Sequence, residues 1–326
     1  PLYRQAQVFA RHGVPLDRST LADWVGRAAF HLAPIVERMA ELLKGSSKLF
    51  MDETTAPVLD PGRGKTKTGY LWALARDERP FAGTAPPGVI FHYAPGRGGE
   101  HAEQMLIGFD GVLQVDGYAG YNRLERVDRK GGSPLRLVYC WAHARREVIK
   151  ATPEAGSPVA EQILRRIAGL YAIEKEIRGT SPEERLAVRQ QRAKPLVAAL
   201  KAFVWAQRER LSRNSHMGKA LGYLVNHWDG LSLYLEDGRV EMDNNPVENL
   251  IRPLTLGRKN SLFAGHDEGA QSWARLASLI GTCKLNGVEP FAYMKATLEA
   301  LAAGHRNAGI DALLPWNFGT LPAAAA

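Results

Sequence analysis

Residues 48–59, "KLFMDETTAPVL", decide how this chain is read. Leu49, Phe50 and Met51 open an apolar, β-like run, and Asp52 interrupts it. A carboxylate inside a sheet is costly unless it is paired, solvated or bound to metal. Four further short runs follow: "GYLWALARD", "GVIFHYAP", "GVLQVDGYAG" and "LRLVYCWAH". Between the third and fourth strands lies "GEHAEQMLIGF", a short helix. This order predicts an α/β fold with a mixed sheet whose first three strands form an antiparallel meander.

The connection after the first strand, "PGRGKTKTGYLWAL" (residues 61–74), ends its basic part on Gly64-Lys65-Thr66, the tail of a phosphate-binding loop. The full pattern needs a second glycine five positions before Gly64, and Leu59 stands there. Such a loop must also open a helix. Tyr70, Trp72 and Leu74 instead alternate as a strand, so the glycines are expected to punctuate a hairpin, and no nucleotide is expected.

Upstream, "YRQAQVFARHGVPLDRSTLADWVGRAAFHL" holds two helical patterns separated by a turn with Gly13 and Pro15. Ser19 is the expected N-cap of the second. The layout fits a DNA-binding helix-turn-helix and an ordinary helical hairpin equally. Another helix is expected from Ala33 to Lys44. From Arg145 to about Leu235 the pattern is again helical, with a capping box at Ser181-Pro182-Glu183-Glu184. Helical periods resume at "EMDNNPVENLIR" and continue to the C-terminal region, and only the terminal alanines are low in complexity.

A chain of 326 residues exceeds one ordinary core,. Lys and Arg total 42 against 34 Asp and Glu, and the resulting +8 raises the expectation of an anionic partner,. Two cysteines, Cys140 and Cys283, are too few and too far apart for a disulfide framework, which favours a reducing compartment, the cytoplasm. No apolar run has the length of a membrane span, and the N-terminal stretch has no signal-peptide pattern. The first residue is Pro1, so a longer product is expected.

Three carboxylates sit at element ends: Asp52, Asp116 at the end of the fourth strand, and Glu248 in the first turn of a late helix. Asn245-Pro246-Val247-Glu248 has near capping-box spacing, with Asn as N-cap, so a cap is one reading of Glu248. Taken together, the three fit oxygen ligands for a pair of divalent cations that act on a phosphodiester. Cys140 and His143 have metal-ligand spacing, but a zinc site needs further partners. His12, His31 and Cys283 lie in no recognisable pairing. In "LGRKNSLFAG" (residues 256–265), Arg258, Lys259 and Phe263 fit a phosphate-binding loop or a solvated basic one.

Six stretches in this order resemble bacterial insertion-sequence transposases of the IS sixty-six family: residues 51–80, "LQVDGYAGYN", "CWAHARRE", "MDNNPVENLIRPLTLGRKNSLFAG", "SLIGTCKLNG" and "LLPWNF". The resemblance implies a ribonuclease-H-like mixed sheet flanked by helices, and a DDE triad of Asp52, Asp116 and Glu248 holding two Mg²⁺ or Mn²⁺ ions. Glu53 is a second acidic residue on the first strand. The implied organisation is a helix-turn-helix-like segment (1–46), a first core part (47–145), an all-helical insertion (146–240), a last core part (241–302) and a tail (303–326). Family members carry a longer N-terminal region with a zinc-binding segment.

The implied function is DNA strand cleavage and strand transfer at element ends, with double-stranded DNA and further copies of the chain as partners. Arg63, Lys65, Lys67, Arg145, Arg146, Arg258 and Lys259 are the expected phosphate-binding residues. Pro246 and Val247 replace the small residues usual after "DNN"; proline in a first turn is sterically harmless. The alternative is a DNA-binding protein without catalysis, either a helix-turn-helix regulator or a decayed transposase.

Overall fold

The strand that opens at Lys48 becomes half of a long hairpin. In the computed structural model, which describes residues 1–153 and 156–320, β1 (Lys48–Asp60) pairs antiparallel with β2 (Lys65–Arg76) from Phe50↔Ala75 to Asp60↔Lys65. The turn uses Gly62 at φ +86° and Gly64 at φ +64°, left-handed conformations that residues with a Cβ avoid,. The basic stretch is therefore a hairpin turn and opens no helix. The terminal alanines lie outside the described residues.

β3 (Gly88–Ala94) adds antiparallel to β2, while β4 (Val112–Val115) and β5 (Arg136–Tyr139) run parallel to β1, giving the order β3-β2-β1-β4-β5. The meander, the mixed sheet and the α/β class are as read from the sequence.

Before the sheet come α1 (Leu2–Arg11), α2 (Arg18–His31) and α3 (Ala33–Lys44). The N-cap of α2 is Asp17, not Ser19. Asp17 Oδ1 accepts the Ser19 N–H at 2.7 Å, because the carboxylate satisfies an orphan donor at the positive helix end,. The short α4 (Gly99–Met105) stands between β3 and β4.

Between β5 and the last helices the chain is helical: α5 (Trp141–Lys150), α6 (Pro158–Ile177), α7 (Pro182–Val188), α8 (Lys194–Arg210), α9 (His216–Asn226) and α10 (Trp228–Ser232). This helical pattern begins at Trp141, four residues earlier than the periodicity indicates. Ser181 caps α7 by accepting the Glu184 N–H. Three further helices close the fold: α11 (Asn245–Gly257), α12 (Asp267–Leu285) and α13 (Pro290–Ala302).

Strand alternation divides the apolar residues between two faces. Leu49 and Met51 of β1 join a core with α3, α4 and α13, whereas Phe50, Ala56 and Val58 pack with Val247 and Ile251 of α11 and Ala270 and Ala274 of α12. Asp52 shares the parity of Phe50, so it lies on the α11 side. A third core joins α5–α10 to Val112 of β4 and Val138 of β5, with Trp141 donating its indole N–H to the Leu231 carbonyl at 2.7 Å.

α12 covers the edge strand β3. Ser278 Oγ accepts the Phe91 N–H at 2.8 Å and Thr282 Oγ1 accepts the Val89 N–H at 3.1 Å. The close approach needs Gly281, where a Cβ would come 2.8 Å from the Val89 side chain.

Candidate active site

The parallel pairing of β1 with β4 ends at Phe50↔Gln114. Asp52 and Asp116 each lie two residues further on, on the same parity. Neighbouring strands are about 4.8 Å apart. The pairing thus delivers two carboxyl groups, 64 positions apart in sequence, to adjacent places at the end of the parallel section. Asp116 Oδ1 accepts the Tyr118 N–H at 2.8 Å, and the Asp116 carbonyl accepts the Tyr223 hydroxyl of α9 at 2.9 Å.

The third carboxyl group arrives on a segment stitched to the sheet. Gln114 donates from Nε2 to the carbonyls of Glu241 at 2.9 Å and Asp243 at 3.3 Å, and its Oε1 accepts the Glu241 N–H at 2.8 Å. Asn244, fully buried, donates from Nδ2 to the Met51 carbonyl at 3.0 Å and from its backbone N–H to Cys140 Sγ at 3.2 Å. The Trp141 N–H donates to the Met242 carbonyl at 3.1 Å. These bonds tie the start of α11 to β1, β4 and the start of α5. Glu248 is thereby held beside α5.

The cap reading of Glu248 fails on this geometry. The N-cap is Asn244, not Asn245, and its side chain makes no cap bond because it is already committed to Met51. Asp243 Oδ1 accepts the Asn245 N–H at 3.0 Å in its place. Glu248 is the fourth helical residue, one beyond the capping-box position. Its Oε1 is buried without a hydrogen-bond partner, 3.6 Å from His143 Nδ1, and its Oε2 lies 3.6 Å from the Arg146 guanidinium.

Burial pushes the Asp52 carboxyl up to about 8, and the negative charges of Glu53, Asp116 and Glu248 push in the same direction. Asp116 follows the neighbouring parallel strand, and α11, which carries Glu248, packs on the same face of β1 as Asp52. Among the described residues, the one hydrogen bond to the Asp52 side chain comes from the Glu53 N–H at 2.8 Å. Acceptor-only oxygens crowded together and underfilled with donors suit a divalent cation.

Glu53 points to the other face and is satisfied there. Its carboxylate accepts the Tyr121 hydroxyl at 2.6 Å and pairs with Arg97 at 2.6 Å, with its side chain 1% exposed. Of the adjacent acidic residues Asp52 and Glu53, Asp52 has the less satisfied oxygens. Tyr121→Phe should destabilise the protein by about 1–3 kcal/mol in urea unfolding, because a buried carboxylate loses a donor. An unchanged midpoint would show that Arg97 alone satisfies Glu53.

Cys140, His143 and Glu248 offer ligand atoms within 4.8 Å of one another. The spacing of Cys140 and His143 was visible in the sequence; the partner lies 105 positions beyond His143. Gln114, Asn244, Tyr121 and Arg97 carry no sequence signal for these roles.

The expected phosphate-binding residues divide into two groups. Lys67 is paired with Asp267 at 2.7 Å, Arg63 with Asp60 at 3.3 Å, Arg146 faces Glu248, and the Arg258 guanidinium donates to the carbonyl and hydroxyl of Thr55. Lys65, Arg145 and Lys259 are exposed. No helix among the described residues is long and apolar enough to cross a membrane.

Fold and site together define a mixed α/β protein with clustered acidic residues where a parallel strand pair ends. The model of the transposase IS66 family matches residues 1–272, and that of the IS66 C-terminal element matches residues 278–316. The chain belongs to the IS66 transposase family. It is similar to the uncharacterized proteins y4jD, y4qI and y4hP of Sinorhizobium fredii. The identities are 44%, 40% and 37%, each over 98% of this chain and over 63%, 59% and 59% of the relative. The chain thus spans about 60% of the length of these curated relatives.

Proposed function

We propose that this chain is the catalytic part of a DNA transposase that cleaves insertion-sequence ends and transfers the strands to target DNA. The observation that carries the proposal is that Asp52 and Asp116 follow paired positions of two parallel strands, while α11, which carries Glu248 and its buried Oε1 without a hydrogen-bond partner among the described residues, packs on the same face of β1 as Asp52. The family match supports the same reading. The strand order β3-β2-β1-β4-β5, a meander followed by two parallel strands, supports a ribonuclease-H-like core carrying residues 146–240 as an insertion.

In this reading Asp52, Asp116 and Glu248 hold two divalent cations, Mg²⁺ or Mn²⁺. Bound there, these ions would lower the pKa of a water and neutralise charge at the scissile phosphodiester. The residues fit that role because a buried carboxyl held up to about 8 ionises readily only when positive charge is close,. Asn244 and Gln114 hold the third carboxylate in place, as supporting groups do around metal ligands. Both reactions are in-line phosphoryl transfers and need no ATP.

Exposed Lys65, Arg145 and Lys259 would hold phosphates. α1 and α2, which expose Trp24 and Phe30, would serve as the helix-turn-helix-like element,. The partners are double-stranded DNA and, since two ends must be joined, a second copy of the chain. The place of action is the bacterial cytoplasm.

A mobility assay on a duplex bearing the element's ends, followed by a cleavage assay with and without Mg²⁺, tests the proposal. Binding without cleavage by the full-length protein would favour the DNA-binding alternative. Lys65→Ala should weaken binding and lower the slope of log K against log salt by about one, the loss of one phosphate contact. An unchanged slope would remove the hairpin turn from the DNA interface.

A further inference from the structure

We propose that His143 supplies a nitrogen donor beside Glu248, so that one of the two cation positions takes borderline transition metals such as Co²⁺ more tightly than Mg²⁺. The inference rests on the functional reading above and adds a fourth ligand to it.

His143 Nδ1 and Glu248 Oε1 are 3.6 Å apart, too far for a hydrogen bond, and both atoms are buried without any hydrogen-bond partner,. With the ring proton on Nε2, Nδ1 faces Oε1 lone pair to lone pair, an arrangement that is costly unless something positive stands between them,. Two ligands on one tetrahedral cation, each about 2.0–2.1 Å from it, lie about 3.4 Å apart, close to the distance here.

The position of His143 on α5 supports the ligand role. It lies in the first turn, next to Cys140, where the bonds from Trp141 to Met242 and from Asn244 to Cys140 fix the start of α5 against the start of α11. Arg146, one turn further on, faces the other oxygen of Glu248 at 3.6 Å, so Oε2 has a cation already and Oε1 has none. Imidazole among carboxylates shifts preference from Mg²⁺ toward later divalent metals.

Cys140 lies within reach, yet it has another task. Its Sγ is fully buried and accepts the Asn244 N–H at 3.2 Å, part of the stitching that positions α11. The ligand set is therefore nitrogen and oxygen, without sulfur.

The test is metal binding by the full chain, read by calorimetry with Co²⁺ and with Mg²⁺, and by the Co²⁺ absorption spectrum. His143→Ala and the more conservative His143→Gln should each lower Co²⁺ affinity by roughly 10–100-fold while Mg²⁺ affinity changes much less. The visible Co²⁺ bands should shift without an intense thiolate band. Equal Co²⁺ affinity in both variants would overturn the inference, as would a thiolate band that Cys140→Ser abolishes.

Glu248→Gln and Asp52→Asn are the controls for the underlying reading. Loss of metal in these two with none in the His143 variants would sink only the role of His143. No response to any of the substitutions would sink the carboxylate site as well.

Discussion

Glu248→Gln should yield a folded protein that binds DNA and cleaves it in Mg²⁺ at least roughly 10²-fold more slowly, beyond the upper end of what loss of an outer-shell partner costs a metal site. The neutral amide keeps the shape of the side chain but donates less charge to a cation. A helix cap would have tolerated the change, since glutamine also serves the capping box. In this structure Glu248 makes no cap bond, and its Oε1 has no hydrogen-bond partner among the described residues. The check is a single-turnover cleavage assay beside a mobility shift and a circular dichroism spectrum. Cleavage at the parental rate would remove Glu248 from the site and reopen the choice of third carboxylate.

Without divalent metal, the protein should lose stability as the pH rises from about 4 to 8, and Asp52→Asn should remove much of that loss. The Asp52 carboxyl has an ordinary value of 3.8 and is pushed up to about 8 in the fold. The folded state therefore holds the proton more tightly than the unfolded chain. The associated stability is fully present below pH 4 and disappears as the pH passes through 8.

The groups acting on Asp52 are Glu53, Asp116 and Glu248, all negative. Burial raises Glu53 and Asp243 as well, so they add to the slope in the same direction, whereas His143, lowered chiefly by burial, opposes it. Each unit of pKa shift corresponds to about 1.4 kcal/mol, so the melting temperature in EDTA at pH 8 should rise by several degrees in Asp52→Asn. Saturating Mg²⁺ should give the parental protein a comparable rise. Parallel pH profiles for parent and variant would mean that Asp52 is solvated and that the site is misread.

The sheet was legible in the sequence, and two of the three proposed site carboxylates were suggested by it, because the information is local. Each strand is a contiguous run, Gly62 and Gly64 mark the hairpin, and Asp52 stands out as a charge within an apolar stretch. The helix caps were harder, since a one-residue difference decides them. Asn245 and Ser19 were expected as N-caps, but Asn244 and Asp17 take those places. At α11 the deciding fact is a hydrogen bond from Asn244 to Met51, 193 positions away.

The same distance hides the clamp of Gln114 on Glu241 and the choice between Asp52 and Glu53. That choice is made by Tyr121 and Arg97 from other parts of the chain. Composition does not reveal which of the expected phosphate-binding cations already have partners in the chain, as Lys67 has in Asp267.

The two family segments meet inside a single helix. One ends at residue 272 and the other begins at residue 278, while α12 runs unbroken from Asp267 to Leu285. The hydroxyl groups that occupy the N–H groups of β3, on Ser278 and Thr282, both come from the second segment. The two family segments therefore share one helix and one packed sheet edge. A chain cut at their boundary would bare the outer strand of the sheet and present a template for edge-to-edge aggregation.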